Sequence, residues 1–101
     1  MTPQQSVSLH HESFLFDGHN DVALQVLRGV DITQRRESGH LDLPRMREGG
    51  FDGGVFAVWI DPALPDPFQR SLDGVRHLRE YLEATSGFRP VLTAARPRHA
   101  C

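Results

Sequence analysis

Phe14-Leu15-Phe16-Asp17-Gly18-His19-Asn20-Asp21 begins as an apolar run and ends on an imidazole and a carboxylate two positions apart. Residues 13–17 have no polar face and are bounded by Gly18, which predicts a short strand covered on both sides, as in a parallel sheet with helices packed around it. Side chains two apart on a strand face the same way. His19 and Asp21 can therefore reach one cation together while Asn20 points elsewhere. A catalytic zinc usually takes three protein ligands plus water, so this stretch holds half a metal site, with the other ligands expected from later in a longer chain or from elsewhere.

Working outward, residues 22–28 carry Val22, Ala23, Val26 and Leu27 at helical spacing, with Gly29 placed to end a short helix. Residues 31–39 mix charges with Thr33, Ser38 and Gly39 without an apolar period and predict a surface loop. In His40-Leu41-Asp42-Leu43-Pro44-Arg45-Met46-Arg47-Glu48-Gly49-Gly50, Asp42 is placed to cap a short helix, Pro44 fits its first turn and Gly49 its end. Residues 53–60, Gly53-Gly54-Val55-Phe56-Ala57-Val58-Trp59-Ile60, predict a second buried strand stopped by Asp61-Pro62. Phe68, Leu72, Val75, Leu78 and Leu82 then fall on one stripe of an amphipathic helix reaching about Thr85. Residues 88–93 predict an extended segment, with Thr93 as cap for a helix from Ala94 that Pro97 cuts short.

The chain has 101 residues, 39% of them hydrophobic, enough for one modest core. Eleven basic and thirteen acidic side chains leave a formal charge of -2, which gives no general attraction to nucleic acid or to anionic membranes. The lone cysteine, Cys101, cannot form an internal disulfide. No basic start followed by an apolar stretch marks a secretory signal, and no segment approaches the roughly 18 apolar residues of a membrane span. The expectation is a soluble, cytoplasmic protein. Residues 1–12 are polar, with Pro3 and His10-His11, and read as a flexible leader with solvated histidines.

Two strands, each followed by helical material, begin a β/α pattern whose sheet so few residues cannot finish. The fold class is thus α/β, an incomplete TIM-like (β/α)8 barrel with about its first two units, since the whole barrel takes about 250 residues. The first strand's C-terminal end, where His19 and Asp21 lie, is where such barrels place catalytic groups.

Three motifs in order, Asp17-Gly18-His19-Asn20-Asp21, then residues 41–50 and then residues 54–60, make the chain resemble the N-terminal portion of the renal (membrane) dipeptidase family of zinc peptidases. The resemblance spans about residues 14–95 and implies that residues 13–101 are part of a dipeptidase-like barrel domain with a two-zinc centre that hydrolyses dipeptides. In that family the histidine and aspartate of the first motif bind one zinc, which carries the metal role onto His19 and Asp21. The bridging glutamate and two further histidines come from later strands, and Glu80 and Glu83 sit in no matching motif. The resemblance thus implies an isolated chain without activity.

Other candidates have plainer readings. Asp17 is placed to orient His19 from behind, although capping or solvation is an equal reading. His40 and Asp42 repeat the His-x-Asp spacing, but helix capping accounts for Asp42. His77 and His99 read as solvated, and Trp59 as core. A non-catalytic packing or binding module, with His19 and Asp21 hydrogen-bonded within the fold, is the alternative function. Unpaired strand edges and the apolar residues 55–60 predict self-association.

Overall fold

The computed structural model describes residues 1–94. Among them the order is α1 (Pro3–Glu12), β1 (Leu15–Asn20), α2 (Val22–Leu27), α3 (Leu43–Glu48), β2 (Phe51–Phe56) and α4 (Pro67–Glu83). The strands form a two-stranded parallel sheet, so the architecture is a mixed α/β arrangement in which a helical crossover joins neighbouring parallel strands. Leu15 pairs with Phe51, Phe16 with Gly53, Asp17 with Gly54 and Asn20 with Phe56, with irregularities after Leu15 and between Asp17 and Asn20. Ala57 N–H donates to the Asn20 carbonyl at 3.0 Å, carrying the pairing past the end of β2.

Residues 1–12, expected as a flexible leader, instead form α1. The reason is local: Thr2 and Gln5 make a reciprocal capping box, with Gln5 N–H donating to Thr2 Oγ1 at 3.1 Å and Thr2 N–H to Gln5 Oε1 at 2.7 Å, and Pro3 opens the helix. No residue of α1 is buried. His10 is exposed, yet its Nε2 donates to the Gly49 carbonyl at 2.6 Å, so it ties α1 to the end of α3.

The core gathers Val22, Ala23 and Val26 of α2, Ile32 of the following loop and Leu78 of α4, with Phe56, Val58, Tyr81 and Phe88 packed against them. Burying these side chains removes apolar area from water and drives the assembly. Ile32 is 0% exposed inside a segment whose sequence predicts only surface loop. Its N–H donates to Tyr81 Oη at 2.9 Å and its carbonyl accepts from Leu43 N–H at 2.7 Å, so the loop is stitched to both α4 and α3. Tyr81 Oη in turn donates to Asp31 Oδ1 at 2.9 Å. Hydrogen bonds from the Thr33 hydroxyl and N–H, then from Tyr81, hold the Asp31 carboxyl below its ordinary pKa. Burial, together with the neighbouring Asp31 charge, pushes the Tyr81 phenol up.

Three expectations about packing change. β1 is not covered on both sides: Phe14 and Phe16 are 77% and 56% exposed, stacked with centroids 6.4 Å apart, and they lean over Gly53 on a bare sheet face. Trp59 lies beyond β2 and is 59% exposed, so it is not core. The stripe of α4 splits. Leu78 and Leu82 pack inward with Gly74, whereas Phe68, Leu72 and Val75 lie exposed along its first turns. The helix expected from Ala94 lies outside the described residues.

Gly74 explains part of that split. A Cβ there would sit 2.8 Å from Val58 Cγ1 and 3.4 Å from Leu27 Cδ1, so glycine lets α4 approach the residues after β2. Val58 is β-branched and stiff, so it cannot swing aside cheaply. Gly74→Ala should therefore lose about 1–3 kcal/mol to overpacking against a gain of about 1 kcal/mol in helix propensity. The expected net is a lower urea midpoint, and a raised midpoint would contradict the close packing.

Candidate metal-binding pair and its cleft

His19 is the fifth residue of β1 and Asp21 the residue that starts α2, so the strand end delivers both side chains to one place. His19 Nε2 lies 3.2 Å from Asp21 Oδ1, with side chains 66% and 60% exposed. The two groups converge in the open. Asp21 makes no side-chain capping bond to α2, which leaves its carboxylate available to a ligand.

Neighbouring polar groups fix this turn. Asp17 Oδ1 accepts from His19 N–H at 3.1 Å, and Asp17 Oδ2 accepts from Asn20 Nδ2 at 3.1 Å. Asn20 Oδ1 then accepts from Val22 N–H at 3.2 Å. Asp17 thus holds the backbone of His19, not its ring, and Asn20 is partly buried in a structural role. Gly18 lies within β1, has no positive φ, and a Cβ there would meet nothing within 4 Å, so neither close packing nor a left-handed turn requires glycine at this position.

Beside the pair opens a cleft of about 540 Å³, lined among others by Asn20, Asp21, Val22, Gln25, Arg36 and His40. Its far wall is the loop before α3, fastened by Asp42. That residue is 0% exposed and caps α3: its Oδ1 accepts from Arg45 N–H at 2.9 Å, and its Oδ2 accepts from Arg36 N–H at 3.1 Å and from Arg45 Nε at 2.5 Å. Burial alone would raise the Asp42 pKa, but the backbone donors of Arg45 and Arg36 and then the Arg45 guanidinium outweigh it and lower it to about 2. Arg35 and Glu48 form a further ion pair between the loop and α3.

An imidazole nitrogen and a carboxylate oxygen are a donor set suited to zinc. Among the described residues, however, no group of three or more His, Cys, Asp or Glu side chains is placed to hold a metal ion. His40 lies on the cleft and His77 is exposed on α4, but neither joins His19 and Asp21. His99 and Cys101 lie outside the described residues. Arg36, on the cleft wall, carried no signal in the sequence, because a single arginine in a charged loop has no spacing to read.

Polar groups gathered past the C-terminal end of a parallel strand stand where α/β scaffolds place their functional sites. The chain belongs to the membrane dipeptidase family (peptidase family M19), which it matches over residues 3–100. It is also 39% identical over 54 residues to a protein of Acinetobacter calcoaceticus described as an uncharacterized protein in PQQ-III 3'region, a match covering 48% of this chain and 17% of that relative. No solved structure matches. No helix among the described residues is long and apolar enough to cross a membrane.

Proposed function

We propose that the chain carries the opening β/α segment of a zinc dipeptidase, acting in the cytoplasm, with His19 and Asp21 as two ligands of a two-zinc centre at the mouth of a TIM-like barrel. The observation that carries this reading is the 3.2 Å approach of His19 Nε2 and Asp21 Oδ1 at the end of β1 in a member of a peptidase family. Zinc bound there would act as a Lewis acid toward the scissile peptide carbonyl of a dipeptide. Asp17 and Asn20 would keep the turn in register, holding the two donors convergent. With one pair of donors, the isolated chain is expected to bind zinc weakly and to show no turnover.

His19 Nε2 and Asp21 Oδ1 lie 3.2 Å apart at the atoms a cation would engage, so zinc must replace that contact, and because metal competes with protons for these ligands its binding should weaken as pH falls. Expected results are a zinc-dependent shift of the His19 ring resonances in the wild-type chain and loss of at least tenfold in zinc affinity in His19→Ala and Asp21→Ala. Because both side chains are mostly exposed, each variant should keep its Tm within about 3 °C. Unchanged zinc affinity with a large fall in Tm would instead favour a packing module in which the pair is structural.

A further inference from the structure

We propose that His19 and Asp21 form half of a zinc site that two copies of this chain complete between them, an inference that rests on the metal role given to the pair above. Each chain brings one imidazole and one carboxylate, converging at 3.2 Å with both side chains mostly exposed. Asp21 makes no side-chain capping bond to α2, and the pair stands at a strand end that a second chain can reach. Among the described residues no third His, Cys, Asp or Glu side chain completes a metal-holding group. Zinc favours four ligands in a tetrahedron, so a cation held by this pair alone keeps two positions open. A second copy offers the same two donors again, because residues beside a two-fold axis meet their own counterparts. Two imidazole nitrogens and two carboxylate oxygens then close the set, and the two carboxylates cancel the double charge of the cation.

The strand that ends in this pair also carries a surface suited to a second copy. Parallel sheets are ordinarily covered on both faces, and this one is bare where Phe14 and Phe16 stack over Gly53. Phe56 packs into the core, so its strand neighbour Val55 faces the other way and is exposed. With about 200 Å² for a whole phenylalanine, the exposed parts of Phe14, Phe16 and Val55 come to roughly 300 Å². A stable dimer buries about 800 Å² per partner, of which about 450 Å² is apolar. The bare face supplies most of that apolar share and falls short of the whole, so the shared zinc decides whether the copies stay together. A set closed by four protein donors leaves no position for water, the arrangement of a structural zinc and not of a catalytic one.

The test is analytical ultracentrifugation of the untagged chain with zinc chloride added stepwise, read beside the His19 ring resonances. The expected result is conversion of monomer to dimer complete near one zinc per two chains, association at least tenfold tighter than without zinc, and reversal by a chelator. His19→Ala and Asp21→Ala should each lose that gain, and Phe16→Ser on the bare face should weaken the dimer severalfold at saturating zinc. A chain carrying both His10→Gln and His11→Gln should dimerise as the wild type does, since those histidines lie on α1. Zinc that shifts the His19 resonances of a chain that stays monomeric would overturn the shared site and leave the metal role of the pair standing. Resonances that do not respond to zinc would remove both. Association that zinc does not strengthen, or that keeps its full strength in His19→Ala and Asp21→Ala, would also overturn the shared site. The stoichiometry is read on the wild-type chain, so it stands even if a variant folds poorly.

Discussion

Ile32→Ala should lower stability by roughly 3 kcal/mol, the usual scale for truncating a buried isoleucine where neighbours cannot close the cavity. For a domain of this size that corresponds to a fall in Tm of roughly 12–24 °C. Ile32 has no exposed surface and sits between α2 and α4, so its removal hollows the meeting point of the core. Its backbone bonds to Tyr81 and Leu43 survive the substitution, which isolates the packing effect from the stitching of the loop. A thermal melt by circular dichroism at 222 nm reads the change. A Tm within about 2 °C of wild type would show that the loop is not part of the cooperative unit.

Asp42→Ala should cost comparable stability through a different mechanism. Three donors, the N–H groups of Arg36 and Arg45 and the Arg45 guanidinium, lose one acceptor in a place water does not reach, and Arg45 Nη2 is already buried without a partner. Loss of the cap also frays α3 from its first turn. A fall in Tm of about 10 °C or more is expected, with Asp42→Asn milder because its amide oxygen can still cap the helix.

The same residue sets a pH dependence. Folded Asp42 titrates near 2, whereas an aspartate in an unfolded chain titrates near 3.9. Between those values the unfolded chain holds more protons, so stability rises with pH through this window. The contribution is complete above about pH 4 and is lost as pH falls from there toward 2. Asp31, also lowered, adds to the acid limb in the same direction. Denaturant midpoints measured from pH 5 to pH 2 should fall steeply in the wild-type chain and more gently in Asp42→Asn. Parallel curves would show that Asp42 is not the source.

Elements with a period or a cap were legible in the sequence. The helix at residues 22–27, the Asp42 cap and the long helix begun at Pro67 follow from spacing and local chemistry, and each appears within a residue or two of its expected limits. The strands slid: β1 runs on through His19 to Asn20, and β2 begins at Phe51 and stops before the apolar residues 57–60. Apolar content drew the expected limits, whereas the register actually formed pairs Phe16 with Gly53 and Asp17 with Gly54, residues that apolar content passes over. A Cβ at Gly54 would lie 3.2 Å from the Asp17 carbonyl, so close strand approach, not hydrophobicity, selects that pairing.

Long-range contacts were not legible. Ile32 is one apolar residue among charges and has no periodicity, and its partner Tyr81 is 49 positions away. The same holds for the cleft. His19 and Asp21 announce themselves by their spacing of two, but Arg36 reaches the cleft only because Asp42 folds the loop back. The exposed half of the α4 stripe could not be foreseen either, since a periodic pattern shows which residues share a face and not whether anything lies against it.

The chain's single tryptophan, Trp59, stands in water in the native state, while Tyr81 anchors the core. Indole emission will therefore change little when the protein unfolds, and fluorescence quenchers will reach the ring before and after. The native packing is optically silent at that wavelength, and the phenol is the chromophore that reports on it.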